Sequence, residues 1–405
     1  MAYRCRLPSI GGVEDFKSMV CARGIPPHEA ERCLEEMYVT SVVVEEVEKG
    51  LAREVARTFA ARGGFGRVLE SEGSRGDSAD LLLSGTLRHF RELCEASGGL
   101  MPGDSRAGVY REVRRVLETI EGSPPPPVHY KHKKLEFSRK VHVMGVLNVT
   151  PDSFYDGGAY LDPSAAVEHA LRMEQCGADI IDVGGESTRP GSDPVPPDVQ
   201  RERVVPVIEG IRRNSDIWIS VDTYSSEVAR AAIEAGADMI NDISGGRFDP
   251  EMPALAAEKG TPIIAMHIRG TPKDMQVAPR YRSLIPDLVE YFETCLERLV
   301  EAGVAGEKVL IDPGIGFGKT VEHNLLILKG LGELKVLRRP IVLGVSRKSF
   351  IGTILGRDAD ERLWGTVAAT VIGGWNGAHV VRVHDVAEVR DAVEMVRAVR
   401  EVRYV

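Results

Sequence analysis

The sequence has little cysteine and pairs none of it: Cys5, Cys21, Cys33, Cys94, Cys176 and Cys295 lie far apart, with no C-x-x-C among them. That spacing signals neither a disulfide framework nor a zinc site, so the thiols are expected to stay reduced and buried. Long apolar runs are also missing. No stretch approaches the ~18 apolar residues that cross a bilayer, and Met1-Ala2-Tyr3-Arg4-Cys5-Arg6-Leu7-Pro8 contains no leader-like apolar segment. A cytoplasmic protein with no membrane partner is the expectation. Excess positive charge is absent too, the formal net charge being -9 and the pI about 5.7. Binding phosphate backbones needs a net basic face, so nucleic acid is excluded as a principal partner, although small anions can be held locally. No H-E-x-x-H, cysteine cluster or carboxylate run marks a metal held by protein groups alone.

What is present is enough apolar residue, 43% of 405 positions, to bury one large core and leave room for a second domain. Residues 1–121 read as a small helix-rich α/β module of unknown role. Apolar Val44, Val47, Leu51, Val55 and Phe59 predict one amphipathic helix over 42–61. Strands are expected at 67–69 and 80–84, and helices at 86–96 and 107–120. Gly63-Gly64-Phe65-Gly66 reads as a turn, since no Lys-Ser/Thr follows to make a phosphate loop. His28 and His89 stand alone and read as packing or surface histidines. A linker is expected over 122–140: Pro124 to Pro127 make a polyproline spacer, and the basic Lys131-His132-Lys133-Lys134 extends it as solvated surface.

Over 141–405 the pattern becomes regular. Short apolar strands near 143–147, 179–183, 218–221, 239–243, 262–266, 309–311, 341–345 and 380–383 alternate with helical segments. Gly177, Gly236 and Gly377 fall where a left-handed residue should end a helix before the next strand. This rhythm predicts a (β/α)8 TIM barrel, preceded by the small α/β domain; an open doubly wound sheet is the competing arrangement, because alternation alone does not show closure.

In a barrel the residue after each strand faces a common mouth, and here those residues are polar: Asn148, the Glu186 to Gly191 run, Asp222-Thr223, Asn241-Asp242, His267, the Asp312 to Lys319 run, Ser346 to Ser349, and Arg382 to Asp385. Asn148, Arg382 and His384 would meet where the last strand neighbours the first, a cationic and amide pocket suited to a polyphosphate. Asp222, Asn241, Asp312 and Lys348 would lie nearer the axis, where carboxylates, an amide and an ammonium suit a flat heterocycle with adjacent N–H donors. Ser349 would open a helix able to receive a carboxylate. Any Mg²⁺ would arrive with the polyphosphate, keeping several waters. His267 reads as structural.

Six motifs, in order, carry a resemblance: Asn148-Val149-Thr150-Pro151-Asp152-Ser153-Phe154 with Asp156-Gly157-Gly158; Glu186-Ser187-Thr188-Arg189-Pro190-Gly191; Met266-His267 with Arg269-Gly270-Thr271-Pro272; Asp312 to Lys319; Ser346 to Phe350; and Arg382-Val383-His384-Asp385. Together they resemble the dihydropteroate synthase family of folate biosynthesis, over about 141–400. Two small departures are Tyr155 where serine is usual and Gln200 where glutamate is. The stretch Leu81 to Thr86 is similar to an extension carried by some members.

The resemblance implies condensation of 7,8-dihydropterin-6-ylmethyl diphosphate with 4-aminobenzoate, giving 7,8-dihydropteroate and diphosphate. It implies a pterin site of Asp222, Asn241, Ile243, Met266, Asp312, Gly344 and Lys348. The diphosphate would lie on Asn148, Thr188, Arg189, Arg382 and His384, with Asn148 also holding Mg²⁺. The 4-aminobenzoate would lie among Phe154, Pro190, Phe317 and Ser349. Catalytic roles fall to Lys348, Asp156, Asp222, Arg382 and His384, and a homodimer is implied. Two rivals remain: a pterin methyltransferase, which needs no diphosphate pocket, and a non-catalytic pterin-binding protein.

Overall fold

In a computed structural model that describes residues 12–70, 77–96, 104–122, 124–138, 140–150, 163–188 and 191–402, the chain divides into two units, Met1–Ser123 with Glu401–Val405, and Pro124–Arg400. Among the described residues no helix is long and apolar enough to cross a membrane.

In the first unit, β1 (Val39–Glu48), β2 (Phe65–Leu69) and β3 (Ser78–Thr86) form an antiparallel sheet in the order β1-β3-β2. Helices α1 (Val13–Cys21), α2 (Pro27–Met37), α3 (Lys49–Ala60), α4 (Leu87–Glu95) and α5 (Arg106–Ile120) complete it. The helix expected over 42–61 is therefore half wrong: residues 42–48 are strand, and only 49–60 are helix. The cause is local. The β-branched run Val42-Val43-Val44 favours the pleat. A register shift between Val44 and Val47, with Glu46 at φ 54°, then brings Val44 and Val47 inward together and imitates helical spacing. The Glu48 carboxylate accepts from Gly50 N and Leu51 N (2.8 and 3.1 Å) and so starts α3 where the strand stops.

The second unit begins with a hairpin of β4 (Val128–Tyr130) and β5 (Lys133–Leu135). Its Val128, Tyr130 and Leu135, with Phe137, join one apolar layer with Met144, Ile180, Trp218, Met239, Ile264, Leu310, Val342 and Val380, which lie at or near the starts of the barrel strands. The hairpin thus seals the floor of the barrel, and the solvated linker expected over 122–140 is corrected. Lys133 is buried, its Nζ bonding Asp238 Oδ2 (2.7 Å) and Ile217 O (3.0 Å). A run of basic residues in sequence does not show that alternate members of a strand point to opposite sides.

Eight parallel strands follow: β6 (His142–Asn148), β7 (Ile180–Gly184), β8 (Trp218–Asp222), β9 (Met239–Asp242), β10 (Ile263–Met266), β11 (Val309–Asp312), β12 (Val342–Gly344) and β13 (Val380–Val383). Their order is β11-β10-β9-β8-β7-β6-β13-β12, and a parallel bridge between Ile311 and Ile341 joins the two ends. That bridge closes the barrel and removes the open-sheet alternative. Around it pack α6 (Pro163–Gln175), α7 (Pro197–Asn214), α8 (Ser226–Ala235), α9 (Glu251–Lys259), α10 (Leu284–Glu301), α11 (Val321–Gly330), α12 (Ser349–Leu355), α13 (Leu363–Asn376) and α14 (Val386–Glu401). Gly236 and Gly377 end α8 and α13 at φ 118° and 119°, the left-handed stops read from the sequence.

Candidate active site

Strand register assembles the polar residues. Asn148 pairs with Gly184, Gly184 with Asp222, and Asp222 with Asn241, so one rung spans β6 to β9 at their C-terminal ends. Met266 pairs with Asp312 and Gly344 with Arg382 on the remaining strands. Because parallel strands share a direction, all these side chains reach the same end of the barrel.

The centre is an ionic cluster. Arg382 donates through Nε to Asp182 Oδ2 and through Nη2 to Asp222 Oδ2, both at 2.6 Å, while Asn241 Nδ2 donates to the same Asp182 oxygen at 3.0 Å. Burial pushes the Asp222 carboxyl up to about 7, against the pull of Arg382 and with Asp182, Glu186 and Asp242 adding to the rise. Burial likewise raises Asp312, which Lys348 and a bond from Gly314 N (2.7 Å) oppose. Lys348 moves the other way, down to about 8, because burial disfavours its ammonium more than Asp312 stabilises it. Its Nζ donates to Ile315 O and lies 4.8 Å from the centre of the Phe317 ring. Gly344 marks the meeting point. A Cβ there would sit 3.6 Å from Lys348 Nζ, 3.9 Å from Arg382 Cβ and 4.0 Å from Asp312 Oδ2, inside the space the three surround.

One side of this cluster is apolar: Ile243, Met266, Ile268 and Met275 are buried together, with Tyr224, Phe248 and Phe317 packed on them. His384 lies at the other side, where its backbone N–H donates to Ser346 Oγ (3.2 Å) and its Nδ1 is 2.9 Å from the same oxygen. Arg347, at φ 54°, turns away to make a two-point ion pair with Asp385 (2.9 and 2.5 Å), leaving Lys348 as the cation of that loop beside Asp312. Asn148 and Thr188 are half-buried, and Ser349 is the exposed first residue of α12. The expected residues Phe154, Asp156, Arg189 and Pro190 lie outside the described residues.

Asp182 escaped the sequence reading, and Glu186, though named there at a strand exit, was given no role. Asp182 is fully buried and anchors both Arg382 and Asn241, while its Oδ1 has no bonding partner among the described residues. Its signal was a carboxylate inside the apolar run Ile180-Ile181-Asp182-Val183, which demands a buried partner. Glu186 accepts from Val195 N (3.2 Å), Gln200 Nε2 (2.8 Å) and Tyr224 OH (2.9 Å), and ties the segment after β7 to α7 and to the exit of β8. Gln200, the departure noted above, is thus an amide donor to a carboxylate.

The pterin binding enzyme family matches residues 144–384. A dihydropteroate synthase of Synechocystis sp. is 46% identical over 271 residues, 67% of this chain and 94% of that protein. A dihydropteroate synthase of Yersinia pestis in complex with a sulfonamide drug is 43% identical, covers 68% of this chain and 100% of its own, and superposes with a TM-score of 0.65. That of Xanthomonas albilineans with 4-aminobenzoic acid is 40% identical over 69% of this chain and 99% of its own, again with a TM-score of 0.65. On this agreement of sequence and fold, the chain belongs to the pterin binding enzyme family, and within it to the dihydropteroate synthases.

Proposed function

We propose that the barrel condenses 7,8-dihydropterin-6-ylmethyl diphosphate with 4-aminobenzoate to 7,8-dihydropteroate, releasing diphosphate. The observation that carries this reading is the gathering of Asp222, Asn241, Asp312 and Lys348 about one recess beside Arg382. In it Asp312 accepts from the 2-amino and ring N–H edge of the pterin, Lys348 donates to the ring carbonyl, and Asp222 with Asn241 holds the opposite edge. Ile243, Met266 and the Cβ-free Gly344 leave a flat apolar slot for the ring. With Nε and Nη2 already committed to carboxylates, Arg382 offers the diphosphate its remaining Nη1, joined by His384, Asn148, Thr188 and Arg189. Donors fixed there stabilise charge as it moves onto the leaving oxygen, so the C–O bond breaks ahead of attack and the pterin methylene carries the positive charge.

Among the described residues no group of three His, Cys, Asp or Glu could hold a metal. A single amide oxygen from Asn148 fits Mg²⁺ that keeps most of its waters, and the bound ion would supply charge neutralisation on the diphosphate. The acceptor ring would lie on Phe317 with Phe154 and Pro190 beside it, its carboxylate toward Ser349, and Asp156 near the attacking amine. Cys21, Cys33, Cys94, Cys176 and Cys295 form no disulfide, which suits the cytoplasm, where we place the enzyme. We also assign it a homodimeric state. Trp364, Ile372 and Trp375 make an exposed stripe on α13, flanked by Leu325 and Leu326 on α11 and Met395 and Val399 on α14.

The test is product formation with purified protein. Diphosphate release that requires both the pterin substrate and 4-aminobenzoate, and that is lost in Lys348→Ala and Asp222→Ala, is the expected result. Methyl transfer from a reduced folate without diphosphate release would instead establish the methyltransferase reading.

A further inference from the structure

Four consecutive carbonyls in the loop after β11 are each held by a different side chain. Ile315 O accepts from Lys348 Nζ, Gly316 O from Gln276 Nε2 (2.6 Å), Phe317 O from Lys319 Nζ (3.0 Å) and Gly318 O from Tyr281 OH (2.8 Å). The loop needs such ties, since Gly314, Gly316 and Gly318 all take left-handed φ values of 66° to 83° and glycine-rich backbone is otherwise soft.

Lys319 differs from the other donors. It is only 3% exposed, and its Nζ also lies 2.8 Å from Nδ1 of His267, the residue after β10, and 3.5 Å from the His267 carbonyl. With Nζ donating, the imidazole carries its proton on Nε2. The His267 ring meets Tyr291 edge-on at 4.6 Å, and the single proton of the Tyr291 hydroxyl is shared between Met266 O (3.0 Å) and Ser244 O (2.9 Å). The imidazole is therefore a fixed anchor on the barrel wall. Burial lowers the basicity of both groups well below ordinary values. Burying an ammonium costs solvation that a methionine of similar length would not lose, and packing alone does not account for a lysine here.

We propose that Lys319 and His267 form a buried latch that fixes the loop 314–319 and thereby sets the Phe317 ring against which the amine acceptor lies. Lys319 is a positioning residue that touches neither substrate. The inference rests on the acceptor slot described above. The latch bears most on that slot, because Lys319 Nζ bonds the Phe317 carbonyl itself, whereas Asp312, the pterin partner, keeps its pairing with Met266 on β10 and is met only by Gly314 N at the start of the loop.

Full-length Lys319→Met is expected to raise KM for 4-aminobenzoate ~10-fold through displacement of the slot. The Kd for 7,8-dihydropterin-6-ylmethyl diphosphate, measured without acceptor, should stay within about twofold. His267→Leu should reproduce the effect, the double variant should be no worse than either single, and His267→Asn, whose Oδ1 can accept in place of Nδ1, should restore KM. Equal weakening of both substrates, or additive effects of the two substitutions, overturns the latch. If Lys319→Met does not fold, the histidine pair decides: equal KM values for the Asn and Leu variants overturn it. Phe317→Ala separates the two ideas. An unchanged KM there overturns the slot itself, whereas a raised KM there with a wild-type KM in Lys319→Met overturns the latch alone.

Discussion

Asp182 has the strongest claim on the site for a residue that faces no substrate. Its one bonded oxygen holds Arg382 and Asn241 at once, and hydrogen bonds to a charged group contribute about 1.5–3 kcal/mol each. Asp182→Asn keeps the shape and removes the charge, so kcat/KM should fall roughly 10- to 100-fold, with about 1.5–3 kcal/mol of stability lost for the weakened bond to Arg382. Steady-state kinetics check this, and a value within twofold of wild type would deny Asp182 the orienting role. The neighbouring ionisations make a second prediction. In the roles proposed above, Asp222 would accept from the pterin only when ionised, and burial raises it to about 7; Lys348 would donate only when protonated, and burial lowers it to about 8. Activity should therefore rise through the first value and fall through the second, leaving a narrow bell in kcat/KM for the pterin substrate. A profile flat from pH 6 to 9 would show that neither group titrates in the free enzyme.

At the scale of elements, the hairpin β4–β5 and the active-site loops occupy opposite ends of the barrel, which separates stability from turnover. Leu135 is 3% exposed in the apolar layer of the floor. Leu135→Ala should cost about 2–4 kcal/mol of unfolding free energy through lost burial and the cavity left behind, with KM for both substrates unchanged. Denaturant titration of both proteins measures the first part and kinetics the second; a shifted KM would mean that the floor is coupled to the mouth. Elements also show where reading a sequence locally goes astray. The helix expected over 42–61 followed a spacing of three between Val44 and Val47 that a β-bulge produces equally well. The basic run Lys131 to Lys134 looked like solvated surface because its buried partner Asp238 lies more than a hundred positions along the chain.

On the scale of the whole molecule, the apolar stripe on α13 bears on assembly. Trp364 is 75% exposed, a large cost for an indole left in water and one that a second copy would relieve. The parent protein should sediment at equilibrium as the homodimer proposed above, and Trp364→Glu combined with Ile372→Glu as a monomer. Identical masses for the two would remove that face from the assembly.

The sequence by itself determined the barrel rhythm and the polar strand exits, because a strand's burial and a helix's left-handed stop are written in neighbouring residues. The positions of Asn148, Asp222, Asn241, Asp312, Arg382 and His384 at strand ends were legible for that reason, as was that of Lys348 three residues past Val345. Only the tertiary structure decided closure, through Ile311 and Ile341, and only it disclosed Asp182, the Lys133 ion pair and the Lys319–His267 contact. These depend on groups brought together from distant parts of the chain. The desolvation of a charge, which decides whether it must find a partner, is a property of the folded surroundings and not of adjacent residues.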